Sequence, residues 1–334
     1  MMKHIETSEY YVAYFDVLGY QEYFKKDKDA SQKFIDNLCS AIDDTIGVIN
    51  NMTSSKMLSE LANIKIQQRI FSDNVLVCLK KGASSLEPIR ILSFLQTIID
   101  IQRKFVLDYG ILLRGGISVG PLFIDQSHLV GEILIKVVSM EHAVKHPFIA
   151  LDDAVTDVLT KSIAEYSNNQ SLQYVVNWIE GVIFRFEGIA FKTLDYLNYI
   201  TVQDIWPVIK GNEEQLVKIL SGQYNGNTEQ VYQNIYQNKD DMQYRVLSRH
   251  RKILEQLMAD FCNYDEIDFR DEKKILEREK IIMKYKWIWT YHNTKCAQVN
   301  RKDLILNAIM TYDDRIMRDI IRIPLEKNDD MNNA

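Results

Sequence analysis

Several features are scarce in this chain of 334 residues, and each absence excludes a class of protein. Its 4 cysteines lie far apart and form no CxxC pair, which argues against a zinc site and suits a reducing compartment. No run approaches the roughly 18 apolar residues of a membrane span, and the start lacks the apolar core of a signal peptide. We therefore expect a cytoplasmic protein without direct membrane contact.

Positive charge is also in short supply. Lys and Arg number 40 against 46 Asp and Glu, and the net charge is -6. No basic field is available to bind duplex nucleic acid, so nucleic acid is not an expected partner. The 46% of hydrophobic and 26% of charged residues are ordinary for globular proteins and suffice for one large domain or two smaller ones.

The most informative stretch is the apolar run Tyr11–Phe15, which is followed by Asp16 and a Leu-Gly-Tyr turn signal. A short apolar run closed by a turn is typical of a buried strand. Asp16 would then lie where the strand passes into a helix, and free backbone N–H groups at that point can hold phosphate. A carboxylate beside phosphate implies Mg2+ or Mn2+ between them. An ordinary helix-capping Asp would give the same local pattern.

A second carboxylate is predicted at the tip of a β-hairpin. In Ile64–Lys80, two apolar stretches flank the polar turn Ser72-Asp73-Asn74. Taken alone, Asp73 is equally typical of a plain turn residue.

The pattern over the first 160 residues alternates strands and helices in the order β-α-α-β-β-α-β-β-α-β. This order predicts an α/β (α+β) fold with a ferredoxin-like sheet and helices on one face. Ile111–Ile124 is predicted as a strand interrupted at Gly115-Gly116 and Gly120-Pro121, and paired glycines within a strand suggest a bulge or a close backbone approach. Tyr174–Phe191, rich in β-branched and aromatic residues, is expected to extend the sheet or form another hairpin.

The composition changes after about residue 200, where glycine becomes rare and long amphipathic patterns run over 228–262 and 271–293. We therefore predict a domain at residues 8–200, an α-helical extension at 201–325 and a disordered tail at 326–334. Aromatic residues in the second pattern, among them Trp287 and Tyr291, are expected to dock the extension onto the sheet. A surface for a partner is the alternative.

Four segments resemble a known family when they are taken in order. They are FDVLGY at 15–20, FSDNV at 71–75, RGGISVG at 114–120 with GEILIKVVSME at 131–141, and KYKWIWTYHN at 284–293. The first three resemble the core of the class III nucleotide cyclases, and more closely the bacterial Pycsar cyclases of antiphage defence; the fourth resembles a C-terminal motif of the Pycsar group. The resemblance covers residues 10 to 160 well and 190 to 300 loosely.

The resemblance implies a two-metal site and assigns residues to it. Asp16 and Asp73 would bind two Mn2+ or Mg2+ ions per site. The backbone of the turn would carry the triphosphate of the substrate, through Val17, Leu18, Gly19 and Tyr20. The family assembles its sites between two subunits, so a homodimer with sites at its interface is implied.

The sequence departs from the classical cyclases on the helix that closes the site. The positions of their transition-state Asn and Arg hold Ile135 and Ser139, which cannot replace those donors. The loss means either inactivity or a cationic role taken by another residue. Lys136 on the same helix and Arg114 on the Gly-rich strand are the candidates; a solvated lysine and an ion-paired arginine are the plain alternatives.

The positions that read the base are also changed. Arg69 and His128 stand where the adenine-reading Lys and Asp are expected, although an exposed loop histidine would look the same. Both side chains can donate to O2 of a pyrimidine or O6 of a guanine.

The sequence therefore predicts a cyclase that converts a nucleoside triphosphate, CTP or UTP before ATP or GTP, to a cyclic monophosphate and pyrophosphate. Its product would act on a downstream effector in antiphage defence. The alternatives are a silent cyclase-like binding module and a structural helical protein.

Overall fold

The computed structural model describes residues 7–19, 28–52, 64–82, 87–167, 173–185, 192–198, 218, 239–262 and 272–306. Its strands are β1 Ser8–Val17, β2 Ile66–Phe71, β3 Asn74–Lys80, β4 Leu113–Ile124, β5 Leu129–Val130, β6 Ile149–Leu151, β7 Ile183–Arg185 and β8 Lys192–Leu194. Its helices are α1 Lys28–Met52, α2 Glu87–Tyr109, α3 Glu132–Ala143, α4 Asp153–Tyr166, α5 Gln173–Gly181, α6 Lys239–Cys262 and α7 Glu272–Gln298, followed by a 3-10 turn at Lys302–Leu304.

The strands form one mixed sheet in the order β2-β3-β1-β4-β6-β8-β7, with β5 paired to β4. Strands β4 and β6 run parallel, as expected when helix α3 connects them. The mixed α/β architecture predicted from the sequence is confirmed. Strand β4 is continuous, so the predicted interruptions at its glycines are wrong, but the close backbone approach is confirmed at Gly115, where a Cβ would clash with the Tyr14 carbonyl oxygen.

Strand β1 lies inside the sheet and pairs antiparallel with β3 on one side and β4 on the other. Its alternate residues Tyr11, Ala13 and Phe15 enter the larger hydrophobic core. The residues between them, Tyr10 and Val12, join a smaller cluster on the opposite face. Burial on both faces explains why this strand is a continuous apolar run and not an alternating one.

Helix α3 departs from the expectation that the helices share one face. Helices α1, α2 and α4 contribute buried residues to the larger core, with Tyr11 and Phe15. In α3, Ile133 and Val137 instead pack with Tyr10 and Val12 on the other face. The reason is that β1 is apolar on both faces, and each face has to be covered.

The stretch Tyr174–Phe191 was expected to be strand or hairpin, and most of its described part is helical. Helix α5 occupies Gln173–Gly181, whereas the short strand β7 that follows extends the sheet by pairing antiparallel with β8, so the predicted extension is confirmed for that part. The buried residues Val176 and Ile179 are three apart, which is helical spacing. Packing of that face outweighed the β-propensity of its residues.

The predicted helical character of the extension is confirmed where the structure describes it, in α6 and α7. Trp287 and Tyr291 on α7 are 6% and 1% exposed, and the Trp287 ring lies 5.0 Å from that of Phe148, just before β6. The docking role predicted for these two aromatics is therefore confirmed. The predicted tail at 326–334 lies outside the described residues.

A buried polar chain also ties the two helices together. His250 Nδ1 lies 3.0 Å from His292 Nδ1, and the outer nitrogens contact the Tyr196 hydroxyl at 3.1 Å and the Leu304 carbonyl at 3.0 Å. Burial lowers the pKa of both histidines, and most strongly that of His250. The pair is therefore neutral near pH 7.

None of the described helices combines the length and apolar character needed to cross a membrane.

Candidate active site

A row of polar side chains crosses three neighbouring strands at one end of the sheet. Asp16 on β1 is directly opposite Asn74 on β3 and Arg114 on β4. Residues that pair across strands have side chains on the same face. The row thus forms a polar strip on the face that also carries α3.

The second predicted metal residue, Asp73, is adjacent to this row. It lies in the two-residue turn between β2 and β3, as predicted, and Ser72 in the same turn has a positive φ of 62°. The N–H of Val17 donates to the Asp73 carbonyl at 2.9 Å. The side-chain amide of Asn74 donates through Nδ2 to Asp73 Oδ1 at 3.0 Å. Its Oδ1 accepts from the Tyr14 hydroxyl at 2.7 Å.

The electrostatics of Asp16 reflect its crowded surroundings. Burial raises the pKa of its carboxyl; the positive charge of Arg114 opposes this shift, and the negative charges of Glu141 and Asp73 add to it. Lys284 on α7 also lowers the pKa of Asp16. A carboxylate that lacks sufficient positive charge nearby gains strongly from a bound cation.

Arg114 is placed within its own chain's site. Its guanidinium lies 3.2 Å from Asp16 Oδ2 and also pairs with Glu141 of α3. Glu141 is buried, and the sequence analysis did not assign it a role. Helix α3 can come this close because Gly116 has no side chain, since a Cβ there would lie 2.6 Å from the Cβ of Met140.

The turn after β1 is only partly suited to the predicted phosphate role. The N–H of Leu18 donates to the Leu112 carbonyl at 2.9 Å, so it is engaged inside the protein, as is that of Val17. Both N–H groups are thus engaged inside the protein, and their role in carrying the triphosphate stays a prediction. Gly19 has the positive φ of 79° of a tight turn. Tyr20, and the helix expected after it, lie outside the described residues.

The other candidate cation, Lys136, is not brought to Asp16 of its own chain. It is half-exposed on α3 and pairs with Asp152, which precedes α4 and also accepts a hydrogen bond from Ser118. Although burial opposes it, hydrogen bonding to Lys136 and Ser118 keeps the pKa of Asp152 low. Ser118 is four residues along β4 from Arg114, or about 13 Å in a strand.

The two positions that differ from the classical cyclases offer a phosphate neither a positive charge nor a side-chain amide. Ile135 is 73% exposed, and the hydroxyl of Ser139 donates to the Ile135 carbonyl at 2.8 Å within the same helix.

The residues predicted to contact the base are brought together by one loop. Arg69 donates to the carbonyl of Asp125, and the Asp125 carboxylate lies 3.1 Å from His128 Nδ1. Backbone N–H groups of Ser127 and His128 hold the pKa of Asp125 below its usual range. His128 remains largely exposed, so its ring is available to a ligand.

Two residues that the predictions missed, Glu141 and Lys284, lie in segments that had already been singled out. Glu141 ends GEILIKVVSME, and Lys284 begins KYKWIWTYHN. Neither has a local pattern that indicates a role, because Glu141 acts through its pair with Arg114 on β4 and Lys284 through its charge on Asp16 of β1. Their positions in those two motifs were the available signal.

The donor set fits a hard divalent cation that is shared with a substrate. Among the described residues, no three Asp, Glu, His or Cys side chains converge into a metal-binding group. Mg2+, however, is commonly held by one or two carboxylates together with substrate phosphates and water. Asp16 at the end of β1 and Asp73 in the turn before the neighbouring strand β3 supply two carboxylates, which suits that mode of binding.

Comparison with known proteins gives weak similarity. No protein-family model matches the chain, and no curated protein matches it. The solved structures that are similar include the adenylyl cyclase CyaB from P. aeruginosa, with a TM-score of 0.35, 12% identity, and 57% of this chain and 95% of that chain covered. The guanylyl cyclase Cya2 is similar with a TM-score of 0.32, 11% identity, and coverage of 57% and 92%. Likenesses at this level carry no argument about function.

Proposed function

We propose that this chain is a metal-dependent nucleotide cyclase. It would convert a nucleoside triphosphate, CTP or UTP, to the 3′,5′-cyclic monophosphate and pyrophosphate. The observation that supports this most is the pair of carboxylates at one end of the sheet, Asp16 on β1 and Asp73 in the turn before β3, where the Val17 N–H donates to the Asp73 carbonyl at 2.9 Å. The sequence resemblance to class III and Pycsar cyclases supports the same reaction, and it alone suggests antiphage signalling through an effector.

The reaction requires attack of the ribose 3′-oxygen on the α-phosphorus. The bond from that phosphorus to the bridging oxygen breaks, pyrophosphate leaves, and the 3′-hydroxyl proton passes to solvent or to a base. Two divalent ions at Asp16 and Asp73 would acidify the hydroxyl and neutralise the leaving group. Arg114 would add positive charge beside the reacting phosphate, and Gly19 would let the chain turn closely around it.

A silent binding module is the second candidate, and one observation favours it. Ile135 and Ser139 occupy the positions of the classical transition-state donors, and neither can donate to the reacting phosphate as Asn or Arg would; the Ser139 hydroxyl donates to its own helix. Such a chain would bind nucleotide and metal without turnover.

The first prediction separates these candidates. Each of CTP, UTP, ATP and GTP is incubated with the protein and Mn2+, and released pyrophosphate and cyclic product are measured. We expect turnover with one pyrimidine nucleotide in preference to the purines. Nucleotide binding without pyrophosphate release would support the silent module, and turnover of ATP or GTP alone would refute the pyrimidine assignment.

We also propose a homodimer with sites at its interface. The α3 face exposes two large apolar side chains among the described residues, Phe71 at 43% and Ile135 at 73%. A second copy would cover them and could bring Lys136 to the partner's triphosphate. Arg114, which contacts Asp16 of its own chain, does not need to come from the partner.

The second prediction is complementation between inactive chains. An Asp73→Ala chain mixed with a Lys136→Ala chain should regain activity, because one of the two sites in a mixed dimer is intact. Two differently tagged Asp73→Ala chains provide the control and should stay inactive. If subunits exchange and the parents are inactive, absence of recovery would mean that Lys136 does not act across the interface.

A further inference from the structure

The arginine of the site is shared between two carboxylates that differ in burial. The Arg114 guanidinium contacts Asp16 at 3.2 Å and also pairs with Glu141. The Glu141 side chain is only 4% exposed, whereas that of Asp16 is 18% exposed. Arg114 thus holds one residue that is proposed to bind metal and one that is not.

Glu141 depends on Arg114 because a buried carboxylate requires a positive partner. The only other basic side chain paired with it among the described residues is His142, at 3.2 Å, and the His142 side chain is 73% exposed. A largely hydrated imidazole compensates a buried charge poorly. The guanidinium is therefore the main partner of Glu141.

The charges around Asp16 do not balance. Asp16, Asp73 and Glu141 are acidic, and the cations that act on Asp16 are Arg114 and, from α7, Lys284. Arg114 cannot fully neutralise Asp16 and Glu141 together. A divalent cation at Asp16 would repel the Arg114 guanidinium. The guanidinium would still be paired in that state, because Glu141 also holds it.

We propose that Glu141 is a positioning residue that draws Arg114 away from Asp16 and so sets the affinity of the Asp16–Asp73 pair for a divalent cation. This inference rests on the metal site of the proposed function. It assigns a role to a buried acid on α3 that neither binds the ion nor contacts the nucleotide.

The third prediction follows from the opposite effects of the two partners. Glu141→Gln leaves Arg114 with Asp16 alone, so Mn2+ should bind roughly tenfold more weakly. Arg114→Gln removes the competing cation, so Mn2+ should bind more tightly than to wild type by a similar factor. In the double variant, loss of Glu141 should matter little, because no guanidinium remains to be drawn away.

The measurement is Mn2+ binding without nucleotide, from the electron paramagnetic resonance signal of the free ion. Glu132→Gln changes an exposed acid on the same helix and should leave the affinity unchanged. Thermal unfolding establishes that each variant is folded. If Arg114→Gln does not fold, Arg114→Lys replaces it, because a lysine cannot hold both carboxylates and should also reduce the effect of Glu141→Gln.

Two results would overturn the inference. One is an equal loss of affinity from Glu141→Gln with and without Arg114, since Glu141 would then act as a ligand or a plain negative charge. The other is absence of Mn2+ binding by the wild type. If the Mn2+ affinities of the variants change as expected but no nucleotide yields product, the cyclase proposal alone would be refuted and the role of Glu141 would be supported.

Discussion

Replacing Asp16 or Asp73 with asparagine is expected to lower cyclic nucleotide formation by at least ~10²-fold, the scale of losing one key electrostatic group. Each substitution removes a negatively charged ligand from a proposed site that has only two. The amide has nearly the same size, so the loss would come from charge and not from packing. Product formed from the preferred nucleotide with Mn2+ is the quantity to measure.

The ion pairs explain why Asp16→Asn should remain folded. Arg114 keeps its pair with Glu141, and the cost of burying a carboxylate at position 16 disappears. The unfolding midpoint should therefore stay close to that of wild type or rise.

Asp157→Asn provides the matched control, because Asp157 is an exposed acid on α4, outside the site. It should retain full activity. Near-normal product formation by either Asp16→Asn or Asp73→Asn would remove that residue from the metal site.

Local sequence patterns were enough to place the two acids. The apolar run that ends at Asp16 is a strand buried on both faces, and the hairpin around Asp73 has polar turn residues between apolar strands. Both signals come from neighbouring residues, which strand and turn preferences describe well. That the two segments pair, with Val17 N–H bonded to the Asp73 carbonyl, could be inferred only from the family resemblance.

The charged residues that complete the site could not be predicted in the same way. Glu141 is buried because Gly116 lets α3 approach the sheet, which is a contact between distant parts of the chain. Lys284 acts on Asp16 because α7 docks near β6, more than a hundred residues away in sequence. Judged from the helical sequence pattern alone, Glu141 and Lys284 are both typical of solvent-exposed charged residues.

The backbone of the turn shows a further limit of sequence reasoning. Leu-Gly-Tyr after a strand indicates a turn, but not which N–H groups the turn leaves available. The N–H groups of Val17 and Leu18 donate to the carbonyls of Asp73 and Leu112 at the end of the sheet. Such bonds depend on the register between β1 and its neighbours, which the pattern of apolar residues alone does not reveal.

Replacing Tyr291 with alanine is expected to destabilise the protein by about 3–5 kcal/mol, as for other large aromatic side chains removed from a core. The ring is 1% exposed and lies 4.8 Å from Phe184 and 5.4 Å from Trp287, measured between centroids. Its hydroxyl donates to Asp195 Oδ1 at 2.6 Å and accepts from Leu197 N–H at 3.1 Å.

Two further variants separate the parts of this effect in urea unfolding followed by circular dichroism. Tyr291→Phe keeps the ring but leaves Asp195 with Lys295 and without the hydroxyl, so it should cost about 1–3 kcal/mol. Gln298→Ala alters an exposed residue of the same helix and should stay within about 0.5 kcal/mol of wild type. If Tyr291→Ala unfolds at the wild-type urea concentration, α7 is not part of the cooperative core. Since α7 carries Lys284, loss of docking would also withdraw a positive charge from Asp16.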